Sequence, residues 1–206
     1  MILIFFVINL AISIFNAWGC GRTWDSTKAK GGGAHFMNWM GAIMAASGFT
    51  WCYMVVFGFV ATQIPYTSGE GAEAVTGPLL DPVALQAFAD LGYLVIIFPI
   101  LGSGLAITIS SWRAFARRRT VGNGLVTGWN TFAQIHNTYN AVQAIPGVWS
   151  RLGDFFGGKS SSSSSDGKGK IVVILVALAV LGGVLTTYGI IQATRRSVLL
   201  NEAMRA

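Results

Sequence analysis

The chain has 206 residues, 53% of them apolar and only 11% charged, with a net charge of +6. A soluble domain of this size carries about a quarter of its residues as charges, so the apolar runs point to one membrane domain with short loops rather than to one or two soluble domains. The positive charge is bunched in connecting segments and forms no basic face of a soluble fold, so no nucleic-acid partner is expected.

Met1 to Trp18 is apolar apart from Asn9, Ser13 and Asn16. No basic residue precedes the run, as a signal peptide requires, and Trp18 sits poorly before the Gly19-Cys20 pair of a lipoprotein cleavage site. The segment therefore reads as a retained, short transmembrane helix of about 27 Å. Gly19 to Phe36 reads as a loop of net charge +2, with Gly31-Gly32-Gly33 as a swivel, since three glycines disfavour a helix interior. The second span is Met37 to Ile64, closed by Pro65. Gly41, Ala45 and Gly48 recur at helical spacing on one face of it, where small residues let another helix approach closely.

Tyr66 to Asp81 reads as an acidic, Gly-rich loop; with Pro82 the segment carries net charge −3. Asp81-Pro82 is a helix start, with Asp as N-cap and Pro at the first helical position. The helix that follows runs to about Ala116. Its first turns, Val83 to Asp90, are amphipathic and suited to the headgroups, and Leu91 to Ile109 is free of charge. Pro99 should kink it, and Gly102 and Ala106 offer small packing positions. Arg113, Arg117, Arg118 and Arg119 then mark its exit from the bilayer on the side where Lys and Arg collect.

From Leu125 to Phe156 apolar residues recur at three- and four-residue steps opposite an amide-rich face. This is an amphipathic helix, expected to break at Pro146-Gly147 and to lie flat on the membrane, being too polar to span. Its amides fit another protein better than lipid. Trp129, Asn130, Gln134 and Asn137, with the arginine cluster, are the expected partner or lipid contacts. Six serines at 160–165 sit in a flexible linker. Ile171 to Gln192 is the last span, with Ala179 and Gly183 as a small pair, and Arg195 and Arg196 end it. The expected fold is thus an all-α integral membrane protein with about four transmembrane helices and one interfacial amphipathic helix. Residues 1–120 form a three-span region, 121–156 the interfacial helix on the cytoplasmic side, 157–170 the linker, and 171–206 the fourth transmembrane helix with a short basic tail.

Between Arg113 and Lys170 stand eight basic and two acidic residues, which places that region in the cytoplasm of a bacterial inner membrane or on the equivalent face of a viral one. Loop charges of +2, −3 and +6 alternate accordingly. Four spans, however, put Arg195, Arg196 and Arg205 on the outer side, against the rule. Either the early segments dominate or one weak span is miscounted.

No chemistry emerges from the pattern. Cys20, His35, Cys52 and His136 lack zinc-site spacing, and the cysteines read as unpaired thiols at different depths. Neither Gly31-Gly32-Gly33 nor Gly122-Asn123-Gly124 leads into a phosphate-binding Gly-Lys-Ser/Thr. Asp90 is the one ionisable group near a span, at its outer edge. Neither a metal nor a cofactor is expected. The expectation is a non-enzymatic scaffold or assembly subunit, embedded in lipid and associated with its own copies or other membrane proteins. The alternative is a self-associating pore or lysis-type channel whose polar stripe would be Asn9, Ser13 and Asn16.

Overall fold

The computed structural model describes residues 2–68, 75–157 and 165–205. Among them the elements are α1 (Ile2–Lys30), α2 (Gly32–Ala61), β1 (Pro65–Ser68), β2 (Val75–Pro78), α3 (Pro82–Arg117), α4 (Val121–Phe156) and α5 (Ser165–Ala203). Four of the five helices, α1, α2, α3 and α5, are long and apolar enough to cross a membrane. This is an all-α membrane fold; among the described residues its only strands are a two-stranded hairpin, Pro65 opposite Pro78 and Ser68 opposite Val75, in the segment read as an acidic loop.

The loop expected over residues 19–36 is helical instead. Thr23 and Thr27 return their hydroxyls to the carbonyls of Gly19 and Trp24 at 3.0 and 2.9 Å, which lets polar residues sit on the helix without competing for its ladder. Asn38 of α2 ties the segment down. Its amide donates to the Cys20 carbonyl at 3.1 Å, and the Cys20 thiol donates to the Asn38 carbonyl at 3.3 Å. The glycine run contributes a single break at Gly31, whose φ of 75° lies in the left-handed region. Gly32 and Gly33 already belong to α2.

Asp81 caps α3 as its sequence indicates: the carboxylate accepts from the Ala84 amide at 2.9 Å, and Pro82 follows. It also pairs with Lys168 at the start of α5. Partial burial pushes this carboxyl up, but hydrogen bonds from the Ala84 amide, the Lys168 ammonium and the Val83 amide outweigh that and hold it below the usual carboxylate range. A depressed folded-state value stabilises the fold above the unfolded carboxylate pKa of about 4, and that contribution is lost as pH falls through the folded value. Asp81→Ala should therefore cost about 1 kcal/mol at neutral pH. In detergent melts the gap to wild type should close below about pH 4.

Helices α1, α2 and α5 pack against one another, α3 docks on α2 and α5, and α4 lies outermost on α3. The main core gathers Phe88, Leu94 and Ala84 of α3, Val172 and Val176 of α5, and Val148, Leu152 and Phe155 of α4. That last trio explains why α4 continues unbroken through Pro146-Gly147: the residues past the proline are anchored in the core. Of the linker expected over 157–170, residues 158–164, with all of its serine run but Ser165, lie outside the described residues. Gly167 to Lys170, expected in that linker, are already helical.

Candidate functional site on the fourth helix

Helix α4 runs antiparallel along α3, with polar contacts along its length. Thr127 donates to the Ser111 carbonyl at 3.0 Å, Thr108 to the Asn130 carbonyl at 3.2 Å, and the Trp112 indole to the Thr131 hydroxyl at 3.0 Å. Further along, the Gln134 amide donates to the Leu101 carbonyl at 3.3 Å. Gly104 gives Gln134 room, since a Cβ there would collide with its side chain. At the far end Arg151 grips Asp90 through two hydrogen bonds of 2.7 and 2.8 Å, and Gln86 adds a third at 3.0 Å. Asp90 is buried, so its charge is met by a fork that matches both carboxylate oxygens.

Over residues 125–142 the apolar side of α4 faces away from the bundle. Leu125, Trp129, Phe132, Ile135, Tyr139 and Val142 are each more than half exposed. A helix on a water-soluble protein turns its apolar stripe inward; here Thr127, Thr131 and Gln134 point in and the aromatic wall points out. Of the amide face expected to meet another protein, the Gln134 side chain is spent on α3. Asn130 meets α3 through its backbone carbonyl, Asn137 is half-buried, and Trp129 is exposed.

Within that outward wall lies a polar row. His136, Asn140 and Gln143 are exposed at spacings of four and three, hence on one face. Asn140 donates to Nε2 of His136 at 2.9 Å, and the His136 ring stacks beside Phe132 with centroids 6.1 Å apart. The row sits near the midpoint of Val121–Phe156.

The small positions singled out from sequence are mostly consumed inside the chain. Gly41 faces the Cys20 thiol, Gly48 faces Ser13, and Ala45 packs with Ala17 and Phe49. Gly183 abuts the α2 backbone at Ala46 and Thr50, and Ala179 is fully buried. Gly102 is the exception: nothing lies within 4 Å of a Cβ placed there. Ala106 lines a cleft opposite the start of α2. Asn9 hydrogen-bonds the Gly48 carbonyl at 2.9 Å, so it serves helix packing. Both cysteines are buried and unpaired. His35 packs edge-on against Trp24 and accepts from the Trp39 indole at 3.3 Å.

Arg113, Arg117, Arg118 and Arg119 are exposed at the end of α3, whereas Arg151 and Lys168 are fixed to Asp90 and Asp81 at its beginning. Asp90 and Arg113 stand 23 residues apart on α3, about 35 Å along the helix. The region from Arg113 to Lys170, read as lying on one face, is therefore divided between the two ends of the bundle. Contacts that escaped the sequence reading include Arg151 with Asp90, Arg195 with Asp25, and Gly21 against Ile191 and Thr194 of α5. Ala17 and Gly21 form a small pair four apart that was legible once α1 is extended past Trp18. Comparison of the chain with protein-family models, curated proteins and solved structures finds no match.

Proposed function

We propose that the chain is a non-enzymatic subunit of a membrane assembly and that it joins its neighbour inside the bilayer through the outer face of α4. The carrying observation is the row His136, Asn140 and Gln143, exposed among Trp129, Phe132 and Tyr139. Helix α4 is less apolar than the four helices that match a bilayer by composition; in this reading it nevertheless crosses the lipid as a fifth span, because it packs beside the charge-free part of α3 and shares its depth. Polar side chains facing hydrocarbon at mid-depth lack water to satisfy them. A neighbouring helix supplying polar partners removes that penalty, at about 0.6–2 kcal/mol per interhelical bond.

Five crossings also account for the charges. Counting each connection with the helix ends it joins, the arginine end gathers ten basic and two acidic residues, and the hairpin end four basic and six acidic. Arg195, Arg196 and Arg205 then fall with the other arginines, and the conflict left by four spans disappears. The arginine end is cytoplasmic by the positive-inside rule, in a bacterial inner membrane or the corresponding face of a viral one.

The test is the mass of the particle in mild detergent. Wild type should run above the monomer, with copies of itself or with a second membrane protein. The triple variant His136→Leu, Asn140→Leu, Gln143→Leu should run as a folded monomer. A wild-type monomer, or a variant that stays assembled, would refute the reading. Dye leakage from liposomes carrying wild type alone would favour a pore, lined by this polar row instead of by Asn9, Ser13 and Asn16, of which Asn9 bonds Gly48 and Ser13 is buried.

A further inference from the structure

We infer that the arginine end of α3 and the start of α2 form a binding site for an anionic phospholipid. The inference rests on the membrane reading above, but not on any partner protein. Between the two helices lies a cleft of about 660 Å³. One side carries Arg113 and Arg117, four residues apart and therefore on the same face. Both are exposed, and among the described residues neither has an acidic partner. This is unlike Arg151 and Arg195, which are tied to Asp90 and Asp25.

Opposite them stand Gly33 and Ala34, in the first turn of α2. Gly31 supplies no side-chain cap there. The N–H groups of that turn thus lack partners, and the positive end of the helix dipole adds to the arginine charge. The floor of the cleft is apolar, formed by Phe36, Met37, Ala106 and Ile109.

Depth decides the occupant. Leu91 to Ile109 is 19 residues without a charge, about 28 Å of helix, which matches the hydrocarbon thickness of about 30 Å. Arg113 follows Ile109 by one turn and reaches the phosphate level, while the floor lies in the acyl region. A phosphate group held by the two guanidinium groups, with its chain laid along Ala106 and Ile109, satisfies both halves of the cleft. A free phosphate would use only the upper half.

Native mass spectrometry of the detergent-released protein, titrated with phosphatidylglycerol or phosphatidylcholine, provides the test. Wild type should retain phosphatidylglycerol about tenfold or more in preference to phosphatidylcholine. Arg113→Gln with Arg117→Gln should abolish the preference without loss of helicity. Ala106→Phe, which fills the floor and keeps both arginines, should lower phosphatidylglycerol retention as well. Equal retention of the two lipids by wild type, or an undiminished preference in either variant, overturns the proposal. Displacement of the lipid by millimolar inorganic phosphate would show that an ion alone is recognised, and would overturn it too. Recovery of the protein in the aqueous fraction would instead defeat the membrane reading, so the two failures are distinguishable.

Discussion

Gly183→Ala should lower the stability of the folded protein by about 1–3 kcal/mol, while Gly102→Ala should leave it unchanged or raise it by up to about 1 kcal/mol. The chemistry of the two changes is identical and both positions are helical, so the difference isolates packing. At Gly183 a new Cβ would stand 2.7 Å from the Ala46 carbonyl oxygen and from the Thr50 amide nitrogen, besides striking the Thr50 hydroxyl. Two of these three are backbone atoms that no rotamer change can move, so α5 must back away from α2. The contacts at risk include the 2.9 Å hydrogen bond between Tyr53 and Thr186 and the packing of Tyr53 on Gly182. At Gly102 nothing lies within 4 Å, and the added methyl group only improves helix propensity. Unfolding from mild detergent into sodium dodecyl sulfate, followed by tryptophan fluorescence, gives both values. Equal midpoints for the two variants would mean that α2 and α5 are not in the close contact described.

Local spacing made much of the fold legible. The apolar runs that became α2, α3 and α5, the Asp81-Pro82 start, and the stripe Gly41, Ala45, Gly48 are each specified within a few turns, and each appears as an element or a contact. The glycine-rich stretch after Trp18 was harder. Gly19, Gly21 and the threonines lower helix propensity locally, and the bonds that overcome it come from Asn38, which no short window contains. Helix α4 shows a deeper limit. Periodicity reveals that a helix has two faces, but not which face looks outward. In water the apolar face turns in; beside α3 the threonines and Gln134 turn in, because Leu101, Ser111 and Trp112 offer them polar partners. The salt bridge that fixes the far end joins residues 61 apart in sequence.

Side-specific labelling separates the five-crossing from the four-crossing arrangement. With Cys20 and Cys52 replaced by alanine, single cysteines at Arg118, Asp154 and Arg205 report on the start of α4, its end and the end of the chain. All three positions are exposed, so access to a membrane-impermeant maleimide is set by the membrane alone. If α4 crosses, Arg118→Cys and Arg205→Cys react from the same side and Asp154→Cys only from the opposite one. If α4 lies flat, Arg118→Cys and Asp154→Cys react together and Arg205→Cys reacts alone, so two of the three relations invert. The geometry favours the first pattern for an energetic reason. Laying α4 on the surface would pull Arg151 from Asp90, leave a buried carboxylate without its partner, and withdraw Val148, Leu152 and Phe155 from the core they share with Phe88 and Val176. It would also expose the inner threonines and Gln134 without the α3 groups they now engage. Crossing keeps every one of these contacts but carries through the lipid a helix less apolar than the other four, whose His136, Asn140 and Gln143 must find a partner there.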